Sequence, residues 1–214
     1  MVGQGVLREC LRDPDVARIL VVGRSTVGQQ HGKLKEYVLP DVGDLSSIQD
    51  RLAGWDACFF CLGVSSAGMN EADYRQVTYD LTLSVAHTLA PLNPGMTFVY
   101  VTGAGTDSTE RGRVMWARVK GATENALLQL PFKRAVMFRP GYIQPMHGIT
   151  SKTPVYRLAY AVSSWLYPLF ARLTPQWVTT TEQIGRAMLT VAKHGAPKSV
   201  LETRDINRLT APSF

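Results

Sequence analysis

Met1-Val2-Gly3-Gln4-Gly5-Val6-Leu7-Arg8-Glu9-Cys10-Leu11 opens the chain. Two glycines lead straight into an apolar-periodic stretch that reads as the start of a helix. Glycines in that place close a tight strand-to-helix turn. They also let an anion approach the backbone N–H groups at the positive end of the helix. Such a turn is fed by a strand, and none is written ahead of it. The expectation is that residue 1 falls inside the glycine loop, with the first strand and first glycines upstream of Met1.

The next stretches fit the same design. Arg18-Ile19-Leu20-Val21-Val22-Gly23 is a continuous apolar run without alternation, as in a strand covered on both faces. Residues 35–39, 56–63, 96–102, 134–138 and 199–202 read as further strands. Between them, residues 46–52, 71–89 and 113–130 read as helices, the first capped by Ser46 or Ser47. Thr179-Thr180-Thr181-Glu182 resembles a capping box ahead of another helix. This alternation predicts an α/β fold: a Rossmann-like, doubly wound parallel sheet lacking its first strand. Residues 1–214 form a single dinucleotide-binding domain in this reading, with 145–180 a variable, helical substrate or lid region. The tail from Asn207 is expected to fray.

Composition narrows the classes. With 45% apolar and 19% charged residues the chain is an ordinary globular one. A net charge of +6 favours anionic ligands. The densest basic cluster, Arg111-Gly112-Arg113, is too short for a nucleic-acid tail, so no nucleic-acid partner is expected. Cys58-Phe59-Phe60-Cys61 has redox spacing but lies in a strand, which marks its thiols as core residues. No leader precedes the first helix, so a cytoplasmic location is expected. The four histidines have no ligand spacing, and no metal site is expected. Residues 155–173 are apolar and aromatic but interrupted by Arg157, Pro168 and Arg172, a poor membrane span. A core or subunit-contact helix is the favoured reading, contact with a membrane surface the lesser one. The partner is a small-molecule substrate, and the chain a monomer or homodimer.

In a doubly wound fold the ligand lies beyond the carboxyl ends of the strands. The loops there supply the candidates. Gly3 and Gly5 belong to the pyrophosphate turn. Arg24 and Ser25 are donors where a ribose-binding acid usually stands. They suit a 2′-phosphate, so NADP is favoured over NAD. Asp44 accepts from the adenine amine, or simply caps the helix, and Leu45 packs on the ring. Leu62 and Gly63 let a nucleotide lie against the backbone. Thr102, Lys120, Pro140, Tyr142 and Ile143 surround the far end.

In their order, Gly3, Val22-Gly23-Arg24-Ser25, Asp41-Val42-Gly43-Asp44-Leu45, Cys61-Leu62-Gly63, Tyr100-Val101-Thr102-Gly103-Ala104, Val119-Lys120 and Phe138-Arg139-Pro140-Gly141 resemble the atypical and extended short-chain dehydrogenase/reductase superfamily. The likeness is to its NAD-dependent epimerase/dehydratase or NAD(P)H-binding branch, and within it to the small Tat-interacting-protein-like oxidoreductases. It spans nearly the whole chain and implies an NAD(P)-dependent oxidoreductase acting on a small carbonyl compound. It also implies a catalytic tyrosine four residues before the lysine. Trp116 stands there, and an indole N–H is no proton donor of that kind. Catalytic roles then fall to Lys120, to Thr102 as the hydroxyl nearest the family's serine, and to Tyr142 as an alternative acid or a pocket wall. The competing expectation is a dinucleotide-binding regulatory or scaffold protein with little turnover.

Overall fold

A computed structural model describes residues 1–149 and 176–211. In chain order the elements are α1 (Val2–Arg12), β1 (Ile19–Gly23), β2 (Leu34–Val38), a 3-10 turn at Ser46–Arg51, β3 (Ala57–Phe60), α2 (Glu71–Arg75), a π-helical stretch at Gln76–Asp80, α3 (Leu81–Leu92), β4 (Thr97–Val101), α4 (Met115–Leu128), β5 (Arg134–Arg139), β6 (Tyr142–Gln144), β7 (Val178–Thr180), α5 (Thr181–His194), β8 (Val200–Glu202) and α6 (Thr203–Arg208).

Every strand pairing is parallel. β1 pairs with β2; β3, β4, β5 and β8 form a second sheet in that order; β6 and β7 make a short third. Apolar runs without alternation become parallel strands because helices cover both faces. Neighbouring residues of β4 point to opposite cores. Phe98 and Tyr100 join Ile48, Leu83, Ala86, Leu89 and Leu127 on one side. Val99 joins Val6, Cys10, Ile184, Met188 and Val191 on the other. All three β4 residues are at most 1% exposed, which makes this strand the centre of the molecule.

The expected interruption is present. A doubly wound sheet carries its first strand between the second and the fourth. Among the described residues no strand occupies that place: β1 is bounded by β2 on one side only, and β3 by β4. The composition of the flanking strands is wholly apolar, yet Ile19–Val22 and Ala57–Phe59 are only half-buried.

Four readings are corrected by the fold. The opening glycines lie inside α1 rather than in a loop before it. Gly5 is where α1 crosses α5: a Cβ there would stand 2.7 Å from both the Cβ and the carbonyl oxygen of Thr181. Gly185 answers from α5, since its Cβ would meet Cγ of the buried Glu9 at 2.8 Å. The two helices approach this closely because neither residue has a side chain, and that packing accounts for Gly5 without any ligand. The long helix expected over 71–89 changes register through one π-helical stretch and ends at Leu92. The capping box uses Thr180 and Gln183, one residue on from the expected group. The tail is ordered past Asn207, because α6 runs to Arg208 and Asn207 Nδ2 donates to the Val178 carbonyl at 2.9 Å. Most of the variable region 145–180, including 155–173, lies outside the described residues.

Candidate functional site

The loops that follow β4 and β5 are knit into one floor. Ala104 N donates to the Pro140 carbonyl at 2.9 Å, and Tyr142 N to the Trp177 carbonyl at 2.8 Å. Gly141 N donates to Thr203 Oγ1 at 2.8 Å. Backbone groups thus fix the turn Arg139-Pro140-Gly141 against β4 on one side and the β8–α6 corner on the other. Pro140 is buried in that floor, while Ile143 packs against the core that includes Phe138 and Ile184.

Lys120 enters this floor from the second turn of α4. Its Nζ donates to the Thr102 carbonyl at 2.9 Å. Burial pushes its ammonium down to about 8 from 10.5, against the opposing pull of the Glu124 carboxylate one turn further on. A lysine tuned in this way still carries charge at neutral pH, and it sits at the carboxyl end of β4. In the folded chain the proton leaves near pH 8, whereas the unfolded chain keeps it to about 10.5. Unfolding free energy should therefore rise with pH across that window. Lys120→Met removes the titrating group and should flatten the rise. Urea denaturation of both proteins on either side of pH 8 measures it, and parallel pH profiles would contradict the assignment.

Thr102 is placed differently from the expectation. Its hydroxyl is 2.6 Å from Glu124 Oε1 and 3.1 Å from the Phe138 carbonyl oxygen, two acceptors for one proton. It is buried and faces inward, toward acceptors that the protein itself supplies. What Thr102 offers Lys120 is its carbonyl. Tyr142 is half-buried on β6 and donates from its hydroxyl to Gln144 Oε1 at 3.0 Å. Trp116 stands one turn before Lys120 on α4, and its ring lies 3.7 Å from where a Cβ on Gly105 would be. The indole therefore occupies the flank of the β4–α4 loop where the resemblance calls for a phenol.

The other half of the site is more open. Arg24 follows β1, is exposed, and makes no hydrogen bond or ion pair among the described residues. Ser25 beside it is exposed as well. Glu36 on β2 holds the continuation of their loop, accepting from Val27 N at 2.6 Å and Thr26 Oγ1 at 2.7 Å. Asp44 is not the cap residue, a place that Leu45 takes: its carboxylate closes a local turn, accepting from Ser46 N at 3.0 Å, and bonds to Ser46 hold it below the usual carboxylate range. Leu45 is corrected outright, for it is 4% exposed and part of the core with Ile48 and Leu83. No free edge of it remains to stack on a ring. Leu62 and Gly63 form an exposed wall after β3. Gly3 packs against Cys61 at the end of β3, at 3.4 Å from a built Cβ to the cysteine's own. No side chain caps the N-terminus of α1, which carries no acid in its first turn. Burial pushes the thiols of Cys10, Cys58 and Cys61 up to about 12, as suits core cysteines.

Two residues of this arrangement escape a reading of the sequence, Glu124 and Thr203, while Ser108, read only as a hydroxyl further out than Thr102, accepts from Arg139. Glu124 had a signal. It is an acid within a stretch of α4 whose neighbours Val119, Gly121, Ala122, Thr123 and Leu127 are apolar or small, and it stands four residues after Lys120 on the same face.

No family model matches the chain. It is 27% identical over 194 residues to the Emericella nidulans protein named "Protein fmp52, mitochondrial", covering 87% of this chain and 81% of that one. The relative's name contradicts the cytoplasmic expectation, which rested on nothing more than the look of the first residues. Among solved structures, the Bordetella bronchiseptica enzyme WbmF in complex with NAD+ superposes with a TM-score of 0.64 at 14% identity, over 97% of this chain and 72% of its own. A short-chain dehydrogenase/reductase from Saccharomyces cerevisiae superposes with a TM-score of 0.65 at 14% identity, over 98% and 94%. With its parallel strands, its order around the interruption and its strand-end loops, the chain has the fold of the NAD-binding short-chain dehydrogenase/reductase and epimerase/dehydratase enzymes.

Proposed function

We propose that the chain binds NADP(H) across the carboxyl ends of its strands and reduces or oxidises a small carbonyl or alcohol compound. The observation that carries the reading is Lys120: a desolvated ammonium anchored at 2.9 Å to the backbone at the end of β4. The residues present suit a dinucleotide. The N-terminal turn of α1, which carries no acid, suits the pyrophosphate, exposed Arg24 suits a 2′-phosphate, and Lys120 suits the nicotinamide ribose. Bound there, the cofactor supplies hydride transfer; the protein supplies orientation and shields the reacting atoms from water. NADP is preferred to NAD because a guanidinium, not a carboxylate, follows β1. Mitochondrial placement follows the relative's name.

One observation favours a second reading. With Trp116 against the β4–α4 loop, no phenol stands one turn before Lys120, and a binding protein with little turnover fits that arrangement. Turnover separates the two. The proposal predicts NADPH oxidation with at least one member of a panel of small aldehydes and ketones, falling at least tenfold in Lys120→Ala. An unaltered rate in that variant would sink the role given to Lys120. Saturable binding with no turnover on any panel member favours the second reading.

A further inference from the structure

The floor of the site is organised by a side chain that touches no expected ligand. Glu124 is 1% exposed. Its carboxylate accepts from Arg139 Nε at 3.0 and 3.1 Å, and Arg139 also closes on it with a terminal nitrogen. It takes the Thr102 hydroxyl at 2.6 Å. The same Arg139 donates to Ser108 Oγ at 2.5 Å in the β4–α4 loop and pairs with Glu202 on β8 at 3.5 Å. Thr102, held by its side chain in this way, presents its carbonyl to Lys120. A continuous chain of contacts therefore runs from β8 through Arg139, Glu124 and Thr102 to Lys120.

We infer that Glu124 is a positioning residue for Lys120: it holds the Thr102 side chain so that the Thr102 carbonyl anchors the lysine ammonium at the floor of the site. The functional half of this inference rests on the dinucleotide reading above; the structural half does not. The geometry has a clear logic. Lys120 and Glu124 are one turn apart on the same face of α4, so a single helix presents both charges to the end of β4. An acid that binds only Arg139 would brace the strands. One that also holds Thr102 governs the lysine's anchor. The charged and titratable groups around the network are Tyr100 on β4, Arg139 on β5 and Glu202 on β8, with Tyr74 of α2 behind Tyr100. Among the causes acting on Lys120, Glu124 is the one that favours its charged form.

The test follows the Lys120 side chain itself, by NMR of its ε-carbon through a pH titration, beside NADPH binding by fluorescence. Glu124→Gln keeps the shape but removes the charge. It should lower the Lys120 midpoint by about one unit, and weaken NADPH about fivefold near pH 8, with recovery at lower pH where the lysine is protonated again. Glu124→Asp should restore part of both. Because Glu124→Gln strands Arg139, the double variant Glu124→Gln/Arg139→Gln is measured too. It should regain stability while its Lys120 midpoint stays low, a result that a merely structural brace would not give. An unchanged midpoint in both variants overturns the inference. A lowered midpoint with unchanged NADPH affinity supports the positioning role and instead overturns Lys120 as a cofactor contact.

Discussion

Arg139→Ala is expected to cost about 3–5 kcal/mol of folding stability, measured by urea denaturation near neutral pH. The reason lies in what the arginine leaves behind. Glu124 is 1% exposed, and Arg139 supplies most of its donors through a fork across both carboxylate oxygens. Arg139 is itself only 11% exposed, and its guanidinium titrates above the usual arginine value because Glu124 favours the charged form. Breaking a pair of this kind strands a buried charge, and the stranded charge dominates the loss. A domain of this size holds a net stability of about 5–15 kcal/mol, so the variant should sit near the edge of folding. Removing both partners separates this cause from a loss of shape. In Arg139→Met with Glu124→Met neither partner of the pair leaves the other's charge stranded, and most of the stability should return. A single variant that loses less than about 1 kcal/mol would show that the pair is solvated in solution.

The second large effect is expected at Gly121. This glycine lies on α4 directly after Lys120, where the helix passes under the β4–α4 loop. A Cβ at this position would stand 1.8 Å from the Asp107 carbonyl oxygen and 2.6 Å from the carbonyl carbon. Backbone, not a flexible side-chain tip, fills the space, so relief requires the loop or the helix to move. The loop resists. Asp107 N donates to the Ala117 carbonyl at 3.1 Å. The Asp107 carboxylate takes Gly112 N at 2.6 Å and Thr109 N at 3.0 Å. Gly121→Ala should therefore cost about 3 kcal/mol or more, seen as a lowered Tm. It should also weaken nucleotide binding, since the displaced loop carries Gly103 and Ala104. Gly63→Ala is the matched control: nothing lies within 4 Å of its built Cβ, and stability should change by less than about 0.5 kcal/mol. Equal effects at the two glycines would contradict this reading of the loop.

The strands were the legible part of this sequence. Stretches such as Ile19-Leu20-Val21-Val22 and Phe98-Val99-Tyr100-Val101 are apolar at every position, and only a sheet covered on both faces uses such runs. The interruption beside β1 was legible for a related reason, since a doubly wound order assigns each run its place. Local chemistry was less so. Gly5 looked like part of a phosphate turn because a glycine admitted for backbone approach looks the same whether the neighbour is a ligand or a helix. Here the neighbour is Thr181, far away in sequence. Leu45 has no local signal that tells a ring-packing leucine from a core one. Thr102 turned inward because Glu124 waits on another element. The short pair β6 and β7 joins segments more than thirty residues apart and leaves no periodic trace.

The site was legible as a set of loops rather than as a mechanism. Lys120 lies where the loops converge, and Pro140 is fixed to the same floor through Ala104. Arg24 and Ser25 stand on the other side of the interruption, on an exposed loop held by Glu36. A dinucleotide would join the two halves, with its nicotinamide end near Lys120 and its adenosine end near Arg24. That arrangement makes Arg24 the cheapest probe of the whole account. It is exposed and makes no ion pair among the described residues, so its removal should leave the fold untouched.

The direct test is a fluorescence titration of the protein with NADPH and with NADH, repeated on Arg24→Ala. Saturable binding of both nucleotides to the unaltered protein is expected, with NADPH bound about tenfold or more tightly. Arg24→Ala should remove that preference while leaving NADH affinity in place. Absence of saturable binding by either nucleotide would contradict the account at its centre.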